Sequence, residues 1–175
     1  AASDVYKRQA VSHLIAQGHR KIAVLGGPTT SYPSRMRRLG AQDAMEDAGL
    51  TFDDRLYGLS NYDFESAYHA MNSLLARRAE FTALFAMSDV IAFGAIRALV
   101  SAGFRVPEDV SVIGFDGISM SRYCVPVMTT IVQPSEQIAL QSIELLVRQI
   151  EHGAPAQTVT LQPELQQGES VCPCR

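Results

Sequence analysis

Polar side chains that could bind a small, hydroxyl-rich molecule follow the ends of four apolar segments of the chain. They are Arg37, Tyr62, Ser88, Asp89 and Asp116. Carboxylates accept hydrogen bonds from hydroxyl groups, and arginine supplies donors in a fixed fork. An aromatic ring can cover the apolar face of a sugar or stack on a purine. The set therefore predicts a site for a polyol, a sugar or a purine.

Asp116 follows the most strongly patterned of these segments. Residues 110–115 form a near-continuous apolar run, bounded by Pro107 and Gly117. Such a run is typical of a central strand that is buried on both faces. Because open α/β sheets bind ligands outside the carboxyl ends of their strands, Asp116 is well placed for binding. The alternative is that Asp116 only bends the following turn.

Each of the other residues also has a structural interpretation. Arg37 could be a solvated helix residue, because Arg35 and Arg38 lie beside it. Tyr62 could simply cover the end of the sheet. Ser88 and Asp89 could be an N-cap and a first-turn acid. The functional interpretation depends on all five residues meeting at one edge of a parallel sheet.

Catalytic patterns are absent from the sequence. The four histidines fall on predicted helices or at helix ends, and neither G-x-G-x-x-G, a phosphate-binding P-loop nor G-x-S-x-G occurs. Asp89 and Asp116 are weak evidence for a metal. Cys124, Cys172 and Cys174 do not form a zinc pattern. We expect no catalytic residue, no metal and no cofactor, and the sparse cysteines fit a reducing, cytoplasmic setting.

Composition limits the partners of the chain. Its 175 residues carry a net charge of −3, and 47% of them are hydrophobic. A globular domain with a substantial core is therefore expected. The absence of a basic block argues against nucleic-acid binding by this chain alone. No apolar run reaches the roughly 18 residues of a membrane helix, so no membrane partner is expected.

Helical and strand patterns alternate along the chain, which predicts βαβ units. Helices are expected at 10–17, 35–48, 64–77, 90–102 and 135–152, and strands at 21–25, 56–59, 81–87, 110–115, 128–134 and 158–161. The predicted fold is therefore α/β, with three α/β/α layers and a mainly parallel sheet. Residues 1–9 show no clear period, and we interpret them as a non-matching or foreign tail.

Five motifs in sequence order resemble the lactose/galactose-repressor (LacI/GalR) family of transcriptional regulators. They are GHRKIAVLGGP (18–28), RRLG (37–40), SDVIAFGAIRAL (88–99), GFRVPEDVSVIGFDGI (103–118) and PVMTTIVQP (126–134). The resemblance implies an incomplete type I fold similar to periplasmic binding proteins. Residues 10–132 would form the second effector-binding subdomain. Residues 133–157 would be a return segment whose helix belongs to the first subdomain, and 158–175 a final strand and tail.

The resemblance also implies roles for particular residues. Arg37 would clamp the effector, Tyr62 would form an aromatic wall, Ser88 and Asp89 would be a polar pair, and Asp116 would be the main acceptor. A homodimer surface would include Phe93, Tyr123 and Cys124. Ser31 and Pro33 differ from the arginine and threonine of the purine-responsive branch, which favours a sugar over a purine.

The implied function is that of a cytoplasmic ligand-sensing domain of a repressor. A small effector would bind in a cleft and change operator binding allosterically. Operator DNA would be contacted only through a helix-turn-helix headpiece that this sequence lacks. The first alternative is a periplasmic sugar-binding protein of a transport system. The second is an enzyme on a doubly wound sheet, for which neither a nucleophile–base pair nor a phosphate loop is present.

Overall fold

Six strands and five α-helices alternate along residues 2–153 and 155–174, which the computed structural model describes. In chain order they are α1 (Ala2–Ala16), β1 (Ile22–Gly26), α2 (Tyr32–Asp47), β2 (Tyr57–Leu59), α3 (Phe64–Ala76), β3 (Ala83–Ala86), α4 (Asp89–Ser101), β4 (Ser111–Asp116), β5 (Thr129–Val132), α5 (Ser135–His152) and β6 (Glu164–Gln166). Short 3-10 turns occupy Asp54–Leu56 and Ser119–Arg122.

The strands form one sheet in the order β2-β1-β3-β4-β5-β6. The first five strands in this order are parallel, and β6 pairs antiparallel with β5. Helix α2 connects strands in one direction along the sheet, and helices α3 and α4 connect strands in the other direction. Because parallel crossovers are right-handed, α2 covers one face of the sheet and α3 and α4 cover the opposite face. Helix α1 packs beside α2. The predicted three-layer α/β fold is confirmed.

The core lies on both faces of the central strands. Every residue of β1 and β3 is buried, as expected for parallel strands covered by helices on both sides. Val11 and Leu14 of α1 are fully buried in this core. Helices α3 and α4 approach closely at Gly94, where a Cβ atom would lie 2.5 Å from the carbonyl oxygen of Phe64.

Two helices begin at least three residues earlier than the sequence predicts. Helix α1 starts at Ala2 instead of Ala10, and Arg8 on its first half pairs with Asp43 at 3.2 Å and with Asp47. Residues 2–16 contain neither glycine nor proline, so nothing interrupts the helix. Helix α2 starts at Tyr32 instead of Arg35, because Pro33 is tolerated in a first helical turn.

The predicted last strand at 158–161 is wrong. Residues 158–161 have no regular secondary structure, and Val159 is 49% exposed. The strand that reaches the edge is β6, whose Leu165 lies opposite Ile131 of β5. The alternating Thr-Val-Thr-Leu pattern is typical of a strand, but these residues do not pair with any strand of the sheet described.

Helix α5 has the predicted bounds and an unusual environment. None of its residues is buried, and Ile143, Leu146 and Ile150 are each more than half exposed. Its amphipathic pattern is therefore present without the packing that such a pattern normally serves. In the part of the chain described, the structure contains no helix that combines the length and hydropathy needed to cross a bilayer.

Candidate ligand-binding site

The candidate site lies at the carboxyl ends of the parallel strands. Strands β1 and β3 are neighbours, and the chain leaves them in opposite directions, which opens a crevice at this point of the sheet. The five predicted residues all belong to this edge: Arg37 on α2 after β1, Tyr62 after β2, Ser88 and Asp89 after β3, and Asp116 at the end of β4.

Arg37 is held on three sides. Its Nη2 donates to Asp116 Oδ1 at 3.0 Å, and its Nη1 donates to the carbonyl oxygen of Met87. The guanidinium carbon lies 3.9 Å from the ring centroid of Phe115. Only 12% of the Arg37 side chain is exposed. The residue is therefore a fixed donor group at the crevice and not a solvated helix residue, as one interpretation of the sequence allowed.

Asp116 is the acceptor at the centre of this cluster. Gln133 Nε2 donates to its Oδ1 at 2.7 Å, and Arg37 donates to the same oxygen. No donor within residues 2–153 and 155–174 reaches Oδ2, so this oxygen is available to a ligand. Burial raises the pKa of Asp116, and the charge of Arg37 opposes that shift. Gln133 was not among the residues predicted from the sequence. It directly follows β5, so the criterion that selected Asp116, a polar side chain at the carboxyl end of a strand, also applies to it.

The Tyr62 ring is held in a fixed position at this edge of the sheet. Its hydroxyl lies 2.7 Å from Ser34 Oγ, and its backbone has a left-handed φ of 62°. The ring lies directly on Gly27, where a Cβ atom would be 2.0 Å from a ring carbon. Gly27 is therefore required for the close approach of the ring. Ser34, which is buried, fixes the far end of the ring.

Ser88 and Asp89 make their hydrogen bonds inside the protein. Ser88 caps α4 by accepting from the Ile91 amide at 3.2 Å. Asp89 is fully buried and accepts from Thr130 Oγ1 at 2.5 Å and from the Ile118 amide at 2.8 Å. Burial raises the pKa of Asp89. Direct contact of these two residues with an effector remains a prediction.

The three predicted interface residues differ in exposure. Tyr123 is 80% exposed, next to the 3-10 turn after β4, whereas Phe93 on α4 and Cys124 are partly buried. The Cys124 thiol has two possible acceptors for its one proton, the carbonyl oxygens of Ser121 and Pro126, and burial raises its pKa. Their role in a dimer remains a prediction. In the described residues, no three His, Cys, Asp or Glu side chains are grouped so that they could hold a metal ion.

The sequence matches the periplasmic binding protein-like domain family over residues 11–171. A transcriptional repressor named PurR from Haemophilus influenzae is 41% identical over 143 residues, which cover 82% of this chain and 43% of that protein. The transcriptional regulator CelR of Thermobifida fusca is 37% identical, with 82% of this chain and 42% of that protein covered. The chain thus spans less than half the length of these relatives.

Solved structures give the same picture. A complex of the transcriptional regulator CelR with cellobiose superposes with a TM-score of 0.91 at 34% identity, over 96% of this chain and 52% of that one. A LacI-family sugar-binding regulator from Escherichia coli, complexed with phosphate, also gives 0.91 at 32% identity, over 98% and 62%. This chain therefore belongs to the periplasmic binding protein-like domain family, and its relatives there are LacI-family transcriptional regulators.

Proposed function

We propose that the chain is the effector-sensing part of a repressor, and that a small effector, a sugar in preference to a purine, binds at the carboxyl ends of its strands. The observation that carries this proposal is the Arg37–Asp116–Gln133 cluster. It combines a clamped guanidinium, a carboxylate with one available oxygen, and an amide. Groups fixed in this way favour ligand binding because little side-chain entropy remains to be lost.

The preference for a sugar rests on the chemistry of the residues around the cluster. Asp116 can accept from ligand hydroxyls, Arg37 can donate to ligand oxygens, and the Tyr62 ring offers a face for the C–H side of a pyranose. By the family resemblance, Ser31 and Pro33 take the places of an arginine and a threonine in the purine-responsive branch. The relatives include both PurR and a cellobiose-bound CelR, so similarity alone does not select the ligand.

Helix α5 supplies a second element of the proposal. Its exposed apolar face, which includes Ile143, Leu146 and Ile150, would pack in a first subdomain whose other elements lie outside this sequence. The effector would then bind between the two subdomains and change their closure. Because this chain provides one side of such a cleft, we expect its own effector affinity to be weak or undetectable.

Transmission to DNA would need parts beyond this chain. Its net charge of −3 makes phosphate binding unfavourable, so operator contacts would come from a helix-turn-helix headpiece in the full-length protein. A homodimer that uses Phe93, Tyr123 and Cys124 would couple the effector site to the operator in the cytoplasm. Such coupling is worth about 1–3 kcal/mol between sites.

The test compares two ion pairs in the full-length protein. Arg37→Ala and Asp116→Ala should each weaken sugar binding by about 10- to 100-fold, because each removes a charged hydrogen-bonding group. Arg105→Ala and Asp109→Ala are matched controls, since that exposed pair, 2.6 Å apart, lies at the opposite ends of the strands. Calorimetry with cellobiose, D-ribose and a purine base would measure binding, and operator binding would be followed by fluorescence anisotropy.

The expected result is a sugar response that is lost in the first pair of variants and kept in the controls, with operator affinity unchanged in all four. Normal induction in both Arg37→Ala and Asp116→Ala would refute the site. Binding of the purine base alone, with the same variant pattern, would keep the site and overturn the ligand class.

A further inference from the structure

Asp89 connects three elements of the fold through one side chain. It is the first residue of α4, it accepts a hydrogen bond from Thr130 on β5, and it accepts another from the Ile118 amide beyond β4. Both contacts are short, at 2.5 and 2.8 Å, and the side chain is fully buried. A buried carboxylate is costly unless donors compensate it, so these two donors are needed to keep it in place.

The surroundings of Asp89 leave it no freedom to turn toward a ligand. A Cβ atom at Gly114 would lie 2.3 Å from Asp89 Oδ1, so β4 passes directly over the carboxylate. A Cβ atom at Gly117 would lie 2.7 Å from Val132 Cγ2, so the segment after β4 is pressed against β5. The two glycines thus allow the chain around Asp116 to close over Asp89.

The backbone at Asp116 needs such support. Its φ of 111° lies in the left-handed region that a residue with a Cβ atom rarely adopts, and Gly117 follows with a φ of 72°. Strained conformations persist only where the surrounding contacts determine them. Here the backbone amide of Ile118 is fixed by Asp89. The backbone carbonyl oxygen of Asp116 accepts a hydrogen bond from the backbone amide of Gln133 at 3.1 Å.

We propose that Asp89 is a positioning residue, which holds the Asp116–Ile118 backbone against β5 and so directs the Asp116 carboxylate toward Arg37 and Gln133. In this proposal Asp89 acts through the backbone, which replaces for this residue the direct effector contact predicted from the sequence. The consequence for effector binding rests on the proposed function, whereas the positioning of Asp116 does not. The start of α4 and the carboxyl end of β4 are thereby linked by a single carboxylate.

The test is nuclear magnetic resonance of the 175-residue chain without ligand. The reporters are the backbone amide of Ile118 and the side-chain amide of Gln133, which donates to Asp116 and therefore reports the carboxylate position. In Asp89→Ala we expect both signals to shift and the Ile118 amide to exchange about 10- to 100-fold faster, as for the loss of a hydrogen bond to a charged group. Asp89→Asn, which keeps one acceptor oxygen, should give smaller changes in the same direction.

Two further variants separate positioning from general loss of stability. Thr130→Val removes one anchor of Asp89 at nearly constant shape, and it should shift the Gln133 signal if Asp89 positions Asp116. Met71→Ala, at a fully buried site on α3, destabilises the fold elsewhere and should leave both reporters in place. If Asp89→Ala does not fold, Asp89→Asn and Thr130→Val carry the test. Unchanged Ile118 and Gln133 signals in those two variants would overturn the proposal, as would equal shifts in Met71→Ala.

A ligand-binding measurement on the full-length protein distinguishes a failure of this proposal from a failure of the proposed function. With cellobiose as the probe, Asp89→Ala should weaken binding about as much as Asp116→Ala. If Arg37→Ala and Asp116→Ala leave cellobiose and D-ribose binding unaffected, the proposed function fails while the resonance shifts still establish the positioning role. If Asp89→Ala shifts the reporters but binds cellobiose normally while Asp116→Ala does not, the link from position to affinity is overturned.

Discussion

The edge of the sheet that carries the candidate site and helix α5 differ in what holds their side chains. At the edge, Arg37, Tyr62 and Asp116 each have partners inside the described chain, including groups as far apart in sequence as Arg37 and Asp116. In α5, the only side-chain ion pair found among the described residues, Glu144–Arg148, joins neighbours on the same helix. The edge is therefore held by contacts within this chain, whereas no residue of α5 is buried in the described structure.

The energetics follow from this difference. Most of the stability of a helix in a protein comes from tertiary packing, and helix propensity and exposed ion pairs contribute little beside it. The candidate site rests on a sheet whose strands β1 and β3 are buried at every residue. Perturbations at the two regions should consequently have effects of very different size.

The largest contrast should come from truncating one apolar side chain in each region. Phe85→Ala empties a fully buried site in β3 and should lower the free energy of unfolding by about 3–5 kcal/mol. Leu146→Ala, at a site on α5 that is 55% exposed, should change it by less than about 0.5 kcal/mol. Urea denaturation followed by circular dichroism measures both. A large loss in Leu146→Ala would mean that α5 is packed in solution.

Limited proteolysis should separate the regions by cleavage rate. Trypsin should cut after Arg148, whose side chain is 58% exposed, at least about 100-fold faster than after Arg37, which is 12% exposed. Cleavage at Arg148 needs only local opening of α5, whereas cleavage at Arg37 needs opening of the core. Mass spectrometry of the fragments over time gives both rates, and Arg148→Gln serves as the control. Equal rates would contradict the contrast.

A smaller effect should follow from crowding the Tyr62 ring. Gly27→Ala must displace the Tyr62 ring and should cost about 1–3 kcal/mol, as overpacking usually does. In a Tyr62→Ala background the same change should cost little, because the clashing ring is gone. The double-mutant cycle is measured by urea denaturation. Additive effects would show that Gly27 is sensitive for some reason other than the ring.

The smallest effect should be on the pH dependence of stability, through His19 and its contacts with the C-terminal segment at the amino ends of the strands. His19 Nε2 donates to the Cys172 carbonyl oxygen at 3.0 Å, so its Nδ1 accepts from the Thr82 hydroxyl at 2.9 Å. Burial lowers the pKa of His19, so the unfolded chain binds the proton more readily. Stability is then complete above the usual histidine pKa, about 6.5, and is lost as the pH falls from there toward the folded value.

The measurement is thermal unfolding between pH 7 and pH 5. His19→Gln keeps a donor for the Cys172 carbonyl oxygen and should reduce the loss of stability at low pH. A remaining slope is expected from His13, whose pKa burial also lowers. An unchanged slope in His19→Gln would show that His19 does not contribute.

Local patterns in the sequence were enough to predict the strand ends, and with them the meeting of Arg37, Tyr62 and Asp116 at one edge. The bounds of α5 were also predictable, because its period and its flanking Pro134 and Gly153 are local features. Gln133 could have been included by the same rule that selected Asp116. The family resemblance added the expectation that α5 packs elsewhere, which no local pattern contains.

Contacts between distant segments could not be read from the sequence. Nothing around Ser88 and Asp89 indicates that the acid faces inward, because its partner Thr130 lies 41 positions further on. The position of the last strand was missed for a similar reason. The residue that lies opposite Ile131 of β5 is Leu165. Residues 158–161 have the more strand-like pattern, but they precede the part of the chain that pairs with β5.

The antiparallel pairing of β5 with β6 has a consequence for protein engineering. Val132 lies opposite Glu164, so the chain leaves the sheet and returns to a neighbouring position roughly 5 Å away. Such a gap can be bridged by a three-residue hairpin loop that ends in a left-handed residue, usually glycine. With Asn-Gly in place of residues 134–163, the loop would be Gln133-Asn-Gly, which keeps Gln133 in the chain directly after β5 and removes α5 altogether. The sheet, Arg37 and the Tyr62 ring would then form a minimal scaffold. Other segments could be inserted between β5 and β6, in place of residues 134–163, without changing the strand order.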